Sequence, residues 1–207
     1  MRTPIPINLA VEDILSEAVL RALLRRSERP YAVGRCYMRS GSGYIKKTIN
    51  GFNNAAKGTP YLVLTDLDAV SCAPQLIRQW LPTPHPNLIF RVAVREVEAW
   101  LMAHRTAFAK FLGIQPSLIP TNVDSLPDPK RTLIDLARRS PKSTLRSALI
   151  PPPGSSRPQG PNYNAPLMEF AYTLWDPSAG MTQSISLKKA VETLARFQPC
   201  LAQPLGD

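Results

Sequence analysis

The sequence predicts an α/β fold: a mainly parallel, Rossmannoid sheet of about four strands flanked by helices, followed by a C-terminal helical extension. Three observations predict it. Short apolar, β-branched runs alternate with amphipathic helical stretches through residues 1–115, the pattern of βαβ units with right-handed crossovers. No acidic residue interrupts those runs, yet acids follow three of them closely. Beyond Gly113 the chain turns to helical periodicity and prolines with no further strand pattern.

Taken in order, "IPINLAV" (5–11) is the first strand, and "ILSEAVLRALLRRS" sets Leu15, Val19, Leu20, Leu23 and Leu24 on one helical face. "YAVGRCY" (31–37) is the second strand. "GYIKKTINGFNNAAKG" is a helix closing near Gly58. "YLVLTDL" is the third strand, "APQLIRQWL" a short helix, and "NLIFRVAV" (87–94) the fourth strand. "EVEAWLMAHRTAFAKFLG" reads as one helix stopped by Gly113. In the extension, "DPKRTLIDLARR", "NAPLMEFAYTLW" and "LKKAVETLARF" are helical by periodicity, and "IPPPGSSRPQGP" (150–161) is a loop. The whole fits a single domain, 1–207, with a core at 1–115 and the extension at 116–207.

Composition narrows the class. With 207 residues and 44% hydrophobic content, the chain can bury a sizeable core. No run approaches the roughly 18 apolar residues of a membrane span, and "MRTPIPINLAVED" lacks a signal-peptide pattern. The expected location is cytoplasmic, with no membrane partner. Cys36, Cys72 and Cys200 have no CxxC spacing and fit reduced thiols, so neither a disulfide nor a zinc site is expected. The net charge of +10 directs attention to polyanions. Arg21, Arg25, Arg26, Arg29, Arg35, Arg39, Lys46 and Lys47 face only Glu28 in one stretch, and Lys130, Arg131, Arg138, Arg139, Lys142 and Arg146 face only Asp135 in another. Two such clusters point to nucleic acid, DNA or RNA, as partner.

The chemistry gathers at "PYLVLTDLDAV". Strand alternation sets Asp66 and Asp68 on one side and Leu67 on the other, where two carboxylates repel unless a divalent cation neutralises them. Sites in parallel sheets lie at the carboxyl ends of the strands, and there Glu12 and Asp13 follow the first strand, while Glu96 and Glu98 follow the fourth. Glu12, Asp66, Asp68 and Glu98 are the candidate catalytic and metal-binding residues, with Mg²⁺ or Mn²⁺ as cofactor. Glu12 is also a candidate general base. Arg91, Arg95, Lys130, Arg138, Arg139 and Lys142 are the candidate nucleic-acid contacts. "RSGSGYI", with Ser40 and Ser42, has the form of a phosphate-binding turn before a helix. His85 reads as a loop residue, His104 as surface or packing, and Trp80, Trp100 and Trp175 as core anchors.

"INLAVEDILSEAVLRALL" followed by "YLVLTDLD" resembles the TOPRIM fold, whose first strand ends in glutamate and whose third ends in DxD. "FRVAVREVEAWLMAH", "DPKRTLIDLARR" and "SISLKKAVETLARF" are similar to the TOPRIM-like family called domain of unknown function 4276, related to the overcoming-lysogenization-defect nucleases. Asp13 departs from the pattern, standing where many TOPRIM proteins carry glycine. The resemblance implies a magnesium-dependent nuclease and, by analogy, an antiviral defence effector beside an ATPase partner. Two other classes remain open. The aspartate pair also resembles the haloacid-dehalogenase phosphatase motif, with the first aspartate as nucleophile and the second as general acid. A basic, non-catalytic nucleic-acid-binding or regulatory subunit is the other.

Overall fold

A computed structural model describes residues 3–39, 43–68, 70 and 72–200. The chain divides into two compact units, Met1–Val92 with Glu192–Asp207, and Ala93–Val191.

The first unit holds, but for the last residue of β4, an all-parallel four-stranded sheet of β1 (Ile5–Val11), β2 (Tyr31–Met38), β3 (Tyr61–Asp66) and β4 (Leu88–Ala93), ordered β2-β1-β3-β4. The expected α/β class is therefore the one observed. Helices α1 (Ile14–Arg25), α2 (Tyr44–Ala55) and α3 (Ala73–Trp80) fill the crossovers. Right-handed crossovers in this order put α1 on one face and α2 and α3 on the other. Lys46 of α2 lies 5.9 Å from the ring centroid of Trp80 in α3.

The sequence explains these elements locally. β1 and β3 are central and bury nearly every side chain, so they read as continuous apolar runs. Asp13 caps α1 by accepting from the Ser16 amide at 2.7 Å. On the other face Phe52 of α2 stands 5.5 Å, centroid to centroid, from both Tyr37 and Tyr61. β2 is an edge strand with partly exposed residues on both faces, and its pairing with β1 slips. Ile7 pairs with Val33 but Leu9 pairs with Cys36, so Asn8 faces two residues, Gly34 and Arg35: a β-bulge. Asn8 Oδ1 accepts from the Arg35 amide at 2.9 Å, restoring a partner to a donor that the bulge takes off the ladder. A Cβ at Gly34 would sit 2.6 Å from that oxygen, so a larger residue there would displace the Asn8 side chain.

The second unit is helical, as expected beyond the sheet. It contains α4 (Val97–Ala103), α5 (Arg105–Leu112), α6 (Pro129–Arg138), α7 (Ser143–Leu149), α8 (Asn164–Thr173) and α9 (Pro177–Gly180), and α10 (Ile185–Arg196) begins in it. Trp100 and Trp175 are fully buried anchors. The Trp175 indole donates to the Trp100 carbonyl at 2.9 Å, and the Trp100 indole to Ser186 Oγ at 2.7 Å. Phe170 packs against Phe108 and Phe111 at 5.3 and 5.0 Å. The single helix expected over 96–113 is two, broken at His104 (φ −81°, ψ 68°). Its cause is tertiary: His104 Nδ1 accepts from the Asp176 amide at 2.9 Å, and Gly180 packs so closely that a Cβ would lie 2.9 Å from Ala103 Cβ. Gly113, at φ 73°, ends α5 as expected.

Candidate functional site

The order β2-β1-β3-β4 places the topological switch point between β1 and β3, where chain connections leave in opposite directions, the position at which parallel sheets commonly carry their sites. Asn8–Ala10 of β1 pair with Tyr61–Val63 of β3. The residues just beyond this pairing are Glu12 on one strand and Thr65, Asp66 and Asp68 on the other.

Glu12 is half-buried, and Thr65 Oγ1 donates to its Oε1 at 3.2 Å. Burial raises the Glu12 carboxyl above its ordinary range; the Thr65 hydrogen bond opposes this, and the charges of Asp68 and Asp13 push it further up. Asp66 is the last residue of β3, and its Oδ1 is shielded from solvent. Asp68 is exposed and takes φ 50°, the one positive φ outside glycine among the described residues. The alternation expected to set Asp66 and Asp68 on one side therefore stops short: β3 ends at Asp66, Leu67 is buried, and Asp68 is aimed by a left-handed turn. Aspartate tolerates that region better than most residues. Asp13, where the resemblance would have glycine, is extended (φ −148°, ψ 171°) and needs none.

Glu98 belongs to the second unit. It is 2% exposed on the first turn of α4, where Tyr163 Oη donates to Oε1 at 3.1 Å and Lys130 Nζ lies 3.6 Å away. Lys130 also contacts Glu96, by Nζ at 3.4 Å and by its backbone amide at 2.8 Å. Burial pushes the Glu98 carboxyl up to about 7, against the opposing charge of Lys130. Tyr163 is raised as well, first by its own burial and then by the Glu98 charge.

The basic residues differ in how they are used. Arg91, in β4, is half-buried, which lowers its pKa, and its Nε is buried without a hydrogen bond among the described residues. Arg95 is half-buried. Arg138 Nε is 3.5 Å from Asp135, Arg139 is exposed, and Lys142 Nζ donates to the Lys110 and Phe111 carbonyls at 3.2 and 2.7 Å, at the end of α5. Ser40 and Ser42 lie outside the described residues.

No family model, curated protein or solved structure matches this chain.

Among the described residues no group of three or more His, Cys, Asp or Glu side chains is placed to enclose a metal ion, and no helix is long and apolar enough to cross a membrane. Mg²⁺ needs less than an enclosing group, since it commonly takes one or two protein carboxylates and fills its shell with water and substrate phosphate. The donors here are hard oxygens, and Glu12, raised first by burial and then by the charges of Asp68 and Asp13, is a carboxylate that a divalent cation would neutralise. The residues therefore fit such an ion. Three participants escaped the sequence reading. Thr65 stood inside the quoted stretch, Tyr163 is 65 residues from Glu98 with no local signal, and Gly34 inside a strand is an ordinary sign of a bulge.

Proposed function

We propose that the protein is a metal-dependent nuclease of TOPRIM type, hydrolysing phosphodiesters at the carboxyl ends of β1 and β3. The observation that carries this reading is the placement of Glu12, Thr65, Asp66 and Asp68 at the switch point of a parallel sheet. Glu12, Asp66 and Asp68 would hold Mg²⁺ or Mn²⁺, which when bound polarises a phosphate oxygen and makes a coordinated water acidic. Glu12, held beside the end of β3 by Thr65, is placed to accept the proton of an attacking water. The Thr65 hydroxyl holds Glu12 Oε1 in place for that transfer. Asp68 reaches outward from its turn to meet substrate, while Asp66 anchors the base of the site. The net charge of +10 favours a polyanion over a small phosphate ester. A role in defence beside an ATPase belongs to the same proposal, on resemblance alone.

The test uses Asp66→Asn and Asp68→Asn, with single-stranded, duplex and RNA substrates in Mg²⁺ or Mn²⁺. Cleavage should fall by several orders of magnitude in each variant, since a metal site supplies several kcal/mol of transition-state stabilisation. Wild-type melting should rise with added divalent ion, because the ion binds only the folded state, and the variants should lose that rise. Hydrolysis of a small chromogenic phosphate without nucleic-acid cleavage would favour the phosphatase class. Nucleic-acid binding with no hydrolysis and no divalent response would leave a binding subunit.

A further inference from the structure

We propose that the α2–α3 face of the sheet binds single-stranded nucleic acid, stacking a base on Trp80 and holding the backbone with Lys46, Lys47 and Arg78. This rests on the nuclease reading and adds to it the surface along which the substrate lies.

Charge singles out this face. Residues 29–65 and 69–95 include no acid, so β2, α2, α3 and β4 carry none and β3 carries only its final Asp66. Lys46 and Lys47 on α2, Lys57 just after it and Arg78 on α3 are all exposed. On the opposite face α1 carries both signs, with Glu17 and Arg21 paired at 2.7 Å. A cationic layer without carboxylates releases the counterions of a polyphosphate and has nothing of its own to repel it.

The aromatic rings decide which polyanion fits. Trp80, half-buried at the end of α3, lies against the buried Phe90 of β4 with ring centroids 6.1 Å apart and planes 23° from parallel. The Lys46 ammonium stands 5.9 Å from the Trp80 centroid. Phe90 thus backs an indole that solvent still reaches, with a cation beside it. Toward the β2 edge, Tyr37 and Tyr44 are also half-buried, 5.5 and 6.4 Å from Phe52. A duplex shows its phosphates but keeps its base faces inside, whereas a single strand presents both, and cations interleaved with rings are what such a strand stacks on. The same face leads toward the candidate site. Tyr61 stands against Phe52, so alternation along β3 turns Val63 and Thr65 the same way, and Thr65 holds Glu12.

The experiment titrates the protein with labelled oligo(dT) and oligo(U), and with a duplex of equal length, in EDTA across a series of KCl concentrations, reading anisotropy and tryptophan fluorescence. Trp100 and Trp175 are fully buried, so quenching on binding reports Trp80. Single strands should quench the wild type and the duplex should not; the two oligonucleotides separate DNA from RNA. Trp80→Phe should keep the affinity and lose the quenching. Trp80→Leu, checked for folding by circular dichroism, should bind about tenfold more weakly at an unchanged log-log salt slope, as for one lost stacked base. Lys46→Gln and Lys47→Gln should each lower that slope by about 0.7, the value for one phosphate contact on a single strand. Single-strand binding without quenching, equal quenching by the duplex, or wild-type slopes in both lysine variants overturns the assignment, and the nuclease reading then stands on its cleavage assay. A wild type that binds no single strand also overturns it; duplex cleavage in Mg²⁺ would then keep the nuclease reading, and no cleavage would remove both.

Discussion

The two units each carry a buried or half-buried glutamate with a raised proton affinity, and they treat it in opposite ways. Glu12, at the end of β1, has one hydrogen-bond donor in Thr65 and like charges in Asp68 and Asp13. Glu98, on α4, is enclosed completely and given a lysine and a phenol. Burying a carboxylate costs several kcal/mol unless partners offset it, and Lys130 and Tyr163 offset part of that cost for Glu98. Glu12 is partly wet, and its neighbours add repulsion. The difference teaches which carboxylate awaits something from outside: the one whose surroundings hold negative charge at the mouth of a sheet.

The largest expected effect sharpens the Glu98 side. Its carboxyl is raised from 4.5 to about 7, so the folded state binds the proton more tightly than the unfolded chain does. The sign follows: stability is greatest below about 4.5 and declines as pH rises to about 7. At about 1.4 kcal/mol per pH unit, the loss over that window is about 3 kcal/mol. Urea unfolding across pH should show this decline in the wild type and a flatter profile in Glu98→Gln, which keeps an oxygen for Tyr163. Equal slopes in both proteins would mean that Lys130 and Tyr163 already hold Glu98 ionised.

A smaller effect addresses the other carboxylate region through its backbone. Asp68→Ala and Asp68→Gly both delete the carboxylate, but only alanine must carry a Cβ at φ 50°. Glycine should be the more stable by about 1 kcal/mol, as read from chemical denaturation. Equality of the two would remove the case that this turn is held under strain.

Much of this was legible from residue order. β1 emerges with the bounds its apolar run gives, and Gly113 ends α5, because both depend on neighbours in sequence. Glu12 and Asp66 were readable as strand-end residues once the strands were recognised. Other features depend on contacts that local periodicity does not encode. His104 interrupts a well-formed helical pattern without proline or glycine, and its reason lies at Asp176 and Gly180. The partners of Glu98 arrive from α6 and from just before α8. Asp68 was placed by extending a strand one turn too far, since nothing in "TDLD" announces that the ladder stops at its first aspartate.

The smallest effects concern the basic residues beside α6. Lys142→Ala should lose a few tenths to 1 kcal/mol, because its ammonium caps the carbonyl end of α5. Arg138→Ala should be nearly neutral, its pair with Asp135 being exposed. Arg139, exposed and beside them, is the member whose replacement should act on binding, lowering the duplex salt slope by about 0.9. A thermal melt and a salt titration of the three single variants separate these roles. If Lys142→Ala lowers the slope as much as Arg139→Ala, its carbonyl contacts yield to phosphate.

The bulge in β2 also bears on how copies of this protein behave toward one another. An eight-residue edge strand with open backbone groups is a template on which a second molecule's edge can add itself, the beginning of sheet growth and precipitation. An inserted residue throws the row of donors and acceptors out of step, and Arg35 places a charge at the same point. The inserted residue thus spoils β2 as a docking rail for its own kind.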